Sequence, residues 1–349
     1  MSETSAAIKP MPSRPDMPFE QRLYERSPFG TLATTAILFA LMFGSFLGIA
    51  ALEHVPTFAR TASLFAFSGA AWPALVLSLL CCAALGMQRY VRLREAAEVP
   101  AYGRILTGGI ATATRITDYY APGARFGRAT ITGLAVGLVI SAAVRVAESR
   151  EGHPMPPGAL IWFSGTTILL SLLFARGVEQ TRAGGRAYAG VLGAELKIDL
   201  LRIDTLAVLG RSAARSSLIW FVISAVACLF FLGNDLNWLT IGLIASCAAM
   251  GVGMFVSIML RIHRQIRAAK DAELEHVRCQ IDTMRATMHE DAAAARLHGM
   301  LAYEKRIADA PEWPFDQSTL VRVGASALIL AVPWFGQAAV QYYVDHLGR

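Results

Sequence analysis

The sequence predicts an all-α fold: a polytopic membrane helix bundle of seven transmembrane helices, amino terminus inside and carboxyl terminus outside, with a helical cytoplasmic layer. Three observations carry that prediction. The 349 residues are 54% apolar and only 17% charged, with a mean hydropathy of +0.45, whereas soluble domains hold about 25% charge. Seven stretches of roughly 17 to 25 residues carry almost none of that charge, and each is long enough to cross a hydrocarbon core of about 30 Å. Lysine and arginine crowd into alternate connections, as expected where basic residues are retained on the cytoplasmic side.

The spans fall at 32–52, 64–87, 129–147, 159–175, 217–233, 238–260 and 320–344. The fourth and fifth are short, so those helices stand nearly upright or borrow flanking residues. Segments 1–30, 88–128, 176–216 and 261–319 hold 4, 7, 7 and 9 basic residues, 27 of the 32 in the chain. These four segments are therefore placed inside, and seven crossings put the carboxyl terminus outside. The organisation reads as a cytoplasmic segment 1–30 and a six-span bundle 31–260 with helical inner loops 88–128 and 176–216. A long cytoplasmic helix 261–310 follows, then a hinge and final span in 311–349.

A net charge of +6 divided this way suits the anionic face of a lipid bilayer. It does not suit nucleic acid, because no basic run is dense enough. Trp162 and Trp238 fall at outer span ends and Trp220 at an inner one, where amphipathic rings favour the headgroup layer; Trp72 and Trp334 read as packed between helices. The charged, proline-bearing first thirty residues do not resemble a cleaved secretory signal, so the first span is expected to act as an uncleaved insertion signal. The five cysteines lie in spans or on the inner side, with neither a disulfide framework nor a zinc spacing.

The span interiors hold no Asp, Glu or His of the kind a proton-coupled carrier needs. Glu53, Arg145 and Arg322 lie at span ends, within reach of headgroups or water. Of these Arg145 lies deepest and is the candidate outer-mouth charge. Small residues form stripes instead: Ala40, Gly44 and Gly48; Gly133, Gly137 and Ser141; Ala245, Ala249 and Gly253. Such stripes let helix backbones approach closely where lipid offers no hydrophobic drive to associate. The seventh span differs, because Pro333 frees a backbone carbonyl and Gln337 and Gln341 share one face. Pro333, Gln337, Gln341 and Arg145 are the candidates for lining a pathway, with hydrogen bonding between helices as the alternative for the two glutamines.

On the inner side, absence of proline until Pro311 predicts one long helix from Arg261, with a bend near Gly299 or docking under the bundle. Leu274, Val277, Ile281, Met284 and Met288 form a seam on it at coiled-coil spacing, a candidate contact stripe for another protein or for neighbouring inner helices. His276, Cys279, His289 and His298 spread over several faces of that helix and do not converge as a zinc site must. Leu192, Leu196, Leu200, Ile203 and Leu206 predict an amphipathic helix under the bilayer, although Asp199 falls on the stripe. An interfacial helix is expected within 104–123, where Gly108 and Gly109 lack the spacing of a phosphate loop. Trp313, Pro314, Phe315 and Asp316 form a hinge and interfacial anchor before the last span.

Glu312 to Asp316, read EWPFD, resembles a segment of bacterial polytopic inner-membrane proteins, and Ile198-Asp199-Leu200-Leu201 is similar to theirs. The likeness spans about the last 150 residues, and it implies a bacterial inner (cytoplasmic) membrane and no particular activity. Seven spans, an inner amino terminus and a broken last helix also resemble, in topology alone, the insect chemoreceptor channels. The expectations that follow are an oligomeric channel or permeation pathway or, alternatively, a membrane-embedded scaffold or sensor whose cytoplasmic helices bind a protein partner. No paired base and nucleophile and no metal cluster point to an enzyme, and no cofactor is implied.

Overall fold

A computed structural model describes residues 19–61, 64–67, 70–117, 124–151, 155–232, 238–286 and 291–313. Among them six helices are long and apolar enough to cross a membrane. A short α1 (Phe19–Arg26) leads into α2 (Thr31–Leu52), followed by α3 (Ala71–Ile105), α4 (Gly109–Thr117), α5 (Ala124–Glu151) and α6 (Pro157–Glu195). Then come a 3-10 turn (Ile203–Leu206), α7 (Ala207–Cys228), a second 3-10 turn (Leu229–Leu232), α8 (Trp238–Ala286) and α9 (Asp291–Ala308). The expected seventh span, 320–344, lies outside the described residues.

Burial sorts the six. More than half of the apolar stretch of α3 and of α7 is enclosed by protein, against less than a fifth in α2 and α5. α3 packs on α2, α6 and α7, while α5 pairs with α6 and α8 with α7. The close α5–α6 approach comes from the stripe in α5, because a Cβ on Gly133 would stand 2.7 Å from Leu172 Cα and one on Gly137 2.7 Å from Ile168 Cα. The other two stripes face no described neighbour so closely: nothing lies within 4 Å of a Cβ on Gly44, Gly48 or Gly253.

Helix lengths exceed the expected spans. At about 1.5 Å per residue, α3 with 35 residues, α6 with 39 and α8 with 49 all overrun the hydrocarbon thickness. Their overhangs gather at one end of the bundle around an apolar core that includes Tyr102, Ile105, Leu192, Leu206, Leu209 and Ile262. The overhang of α3 passes through Pro100. Gly109 then takes φ +59°, the left-handed turn that lets α4 fold back.

Four expectations are corrected. Residues 64–67 are not the start of the second span: Leu64–Phe67 pairs antiparallel with Phe58–Thr61, and the helix begins at Ala71. A short apolar run rich in phenylalanine fits a strand as well as a helix, and Ser68-Gly69 separates it from the span. The amphipathic helix over 192–206 is also absent. α6 runs on through Leu192 to Glu195, Leu196 bridges to Leu106, and Asp199 Oδ1 takes the Leu201 N–H at 3.0 Å. A carboxylate bonded to the backbone two residues on is a turn that competes with helix.

The helix predicted over 261–310 is two helices. α9 packs against α8. Lys270 Nζ donates to the carbonyls of Ala308 at 2.6 Å and Ala310 at 3.0 Å, and Arg278 Nε to Glu304 at 2.7 Å. The chain therefore reverses between Ala286 and Asp291, and Gly299 lies inside α9. Finally, Glu53 does not reach for headgroups. Its carboxylate accepts the Gly158 N–H at 2.5 Å and the Ala159 N–H at 2.9 Å, closing the amino-terminal end of α6.

Candidate functional site

Periodicity along the overhangs puts polar side chains on single faces. In α3 the buried Gln88, Glu95 and Tyr102 recur every seven residues, two helical turns; in α6 Gln180 and Tyr188 do so over eight, and in α7 Ser212, Ser216 and Trp220 every four. Where the three faces meet, the innermost tier is a hydroxyl relay. Tyr102 and Tyr188 share a hydrogen bond at 2.9 Å, and Tyr188 and Ser212 one at 2.5 Å. Beside it Glu98 accepts both terminal nitrogens of Arg215, one of them at 2.8 Å. That fork geometry is the strong form of an ion pair.

One to two turns further toward the membrane lies a cavity of about 50 Å³ between α3, α6, α7 and α8. Gln88, Gln180, Thr181 and Ser216 supply its polar wall; Leu173, Phe174, Trp220 and Ile223 are among its apolar lining. The Trp220 indole donates to Thr181 Oγ1 at 3.2 Å and meets Phe174 edge-on at 5.5 Å. Gln88 Oε1 is buried and has no hydrogen-bond partner among the described residues.

α1 is moored to the residues adjoining this wall. Arg176, next to Gly177 of the lining, donates to Glu20 at 2.9 Å, with Phe126 under its guanidinium at 4.5 Å. Arg89, next to Gln88, donates to Gln21 at 3.3 Å. Tyr24 shares a hydrogen bond with Thr35 at 2.9 Å. Glu20 is only 2% exposed, and burial raises its carboxyl above the usual carboxylate range despite Arg176 and Arg92 nearby.

No known protein family, curated protein or solved structure matches this chain. Its chemistry is therefore read from the residues alone. Among the described residues no three His, Cys, Asp or Glu side chains gather as a metal site would need.

The structure scatters the sequence-predicted candidates. Arg145 lies at the opposite end of the bundle, exposed, its Nη2 donating to Ser164 Oγ at 3.2 Å. Pro333, Gln337, Gln341, Pro314, Phe315, Asp316 and Met288 lie outside the described residues. Trp313 is partly exposed and stacks on His263 at 4.3 Å, with His263 Nδ1 3.0 Å from the Glu312 carbonyl. Along the contact stripe Val277 and Ile281 are buried, while Leu274 and Met284 are half-buried.

The cavity wall was missed from the sequence. Gln88 and Ser216 lie one residue outside the expected span limits, Gln180 and Thr181 five and six residues outside, and none of the four is ionisable. The usable signal was the seven-residue recurrence of polar side chains running from Gln88 down α3.

Proposed function

We propose that the protein is an oligomeric channel or permeation pathway of a bacterial inner membrane, with a cytoplasmic amino terminus and a periplasmic carboxyl terminus. The observation that carries this reading is the Gln88 cavity. A buried acceptor with no partner costs about 1–3 kcal/mol, so folding alone disfavours it, and a polar wall inside a helix bundle is what a hydrated route needs. In this reading the expected seventh span, with Gln337 and Gln341, completes the route, and the overhangs form the inner mouth beneath it. No catalytic step or cofactor belongs to this reading.

Reconstitution into phospholipid vesicles tests it. Flux of water, small neutral solutes and monovalent ions is compared with protein-free vesicles, and subunit number is read from the mass of the detergent-solubilised particle. Flux above the protein-free level, reduced by Gln88→Leu and by Gln337→Leu, supports the pathway. Rates equal to those of protein-free vesicles under gradients of all these solutes retire it.

A scaffold or sensor is the second reading, favoured by the α8–α9 hairpin. α8 runs 26 residues beyond the expected span end at Leu260, and Glu275, Arg278 and Asp282 are exposed on it. Crosslinking in native membranes would then recover a soluble partner, lost when these three charges are reversed. Because Val277 and Ile281 are already buried, substitutions there would act through the hairpin itself.

A further inference from the structure

The walls of the Gln88 cavity restrict what can occupy it. Its volume, about 50 Å³, has room for roughly four water-sized groups, while a site that accepts benzene needs about 150 Å³. An aromatic ring or a lipid chain is too large to be seated wholly within it. No lining side chain is ionised, and an unpaired ion in such a site loses several kcal/mol of solvation. Of the two cations flanking the wall on α6, Arg176 is held by Glu20 and Arg182 is exposed. The occupant is therefore small and uncharged.

Hydrogen-bond capacity narrows it further. Gln88 Oε1, on a side chain more than nine-tenths buried, can only accept, so the occupant must donate. Thr181 Oγ1 receives the Trp220 indole N–H, which leaves the threonine's own proton to give. Gln180 and Ser216 offer both functions. An occupant that donates to Gln88 and accepts from Thr181 satisfies the wall; a hydrocarbon of the same size leaves both groups unpaired.

We infer that this cavity binds a small neutral solute bearing both a donor and an acceptor, an alcohol or primary amide of about four non-hydrogen atoms, with Gln88 Oε1 accepting from it. The assignment rests on the permeation reading only for its second part, that this is the class of solute the route carries.

Trp220 forms part of the wall and gives a local signal. The full-length protein is labelled with 5-fluorotryptophan in detergent, and the Trp220 resonance is identified among the six tryptophans by its loss in Trp220→Phe. Ethylene glycol is then titrated. The expected result is a saturable shift of the Trp220 resonance alone, abolished in Gln88→Leu. Should that variant fail to fold, Thr181→Val takes its place and is expected to weaken binding about tenfold, the loss of one hydrogen bond.

A drift of all tryptophan resonances together, linear in concentration, overturns the site, as does a saturable shift unchanged in either variant. A parallel arm measures ethylene glycol entry into vesicles by light scattering. Saturable, Gln88-dependent binding without accelerated entry keeps the site and overturns the second part, that this is the class of solute the route carries. Accelerated entry without a Trp220 shift places the route elsewhere and overturns the site.

Discussion

Glu53 joins two segments more than a hundred residues apart. Both its oxygens accept backbone N–H groups of the first turn of α6, where Pro157 occupies the opening position and the N-cap, Pro156, makes no side-chain capping bond. A helix end leaves its first N–H groups unpaired and carries partial positive charge, so a carboxylate there both bonds and neutralises. Glu53→Ala is expected to cost about 0.5–2 kcal/mol, read as a lower unfolding midpoint in detergent, with Glu53→Gln intermediate. Glu20 makes the opposite contribution. Its folded-state pKa lies above the unfolded value, so its stabilising contribution is complete below the ordinary carboxylate pKa and is lost as pH rises through the folded value. Amide exchange in α1, corrected for intrinsic rates, is therefore expected to slow as pH falls toward the ordinary carboxylate range, and Glu20→Gln should remove that dependence. A Glu20→Gln protein whose α1 keeps the wild-type pH profile would trace the effect to another group.

Among the elements, the α5–α6 pair was the most legible. A four-residue recurrence of Gly133, Gly137 and Ser141 admits a close helix crossing, and Ser141 Oγ indeed donates to the Ser164 carbonyl at 3.4 Å. Gly137→Val is expected to force the helices apart at a cost of about 1–3 kcal/mol, measured by thermal unfolding in detergent. Gly165→Ala on α6, with nothing within 4 Å of the added Cβ, should be neutral or stabilising. The same kind of periodicity misled over 192–206. Leu192 belongs to the end of α6 while Ile203 and Leu206 belong to a 3-10 turn, and all three point into one core without sharing a helix. A period of three or four marks a shared buried side; continuity of the helix needs the intervening residues to permit it, and Asp199 did not. The α8–α9 reversal was hidden for a related reason. Both arms are strong helix formers, and it is tertiary bonding from Lys270 and Arg278, invisible in local sequence, that sets the arms side by side.

At the scale of the whole molecule, the contacts sort the connections into two ends. Glu20 with Arg176, Gln21 with Arg89, and Leu106 with Leu196 bring the amino-terminal helix and the first two basic overhangs together. Gln265 donates to the Leu192 carbonyl, so the overhang of α8 joins them. Glu53 with Gly158, Trp72 with Leu229, and Trp162 with Ser45 mark the other end. The sorting of the connections into two ends was thus legible from charge, because the four basic segments with 27 of the 32 lysines and arginines are those that cluster. The cavity was not, since its amides carry no charge and lie outside the expected spans. A six-crossing bundle returns the chain to the side where it began, so the carboxyl terminus is decided by 320–344 alone. That stretch holds one charged residue, Arg322, close to its beginning, and its length is enough to cross about 30 Å. An alkaline phosphatase fusion after Trp313 is expected to be inactive, and one after His346 active, with a cytosolic reporter giving the reverse pattern. A cytosolic reporter active at both positions would leave six crossings and take Gln337 and Gln341 out of the bilayer. Any route would then be confined to the helices around Gln88.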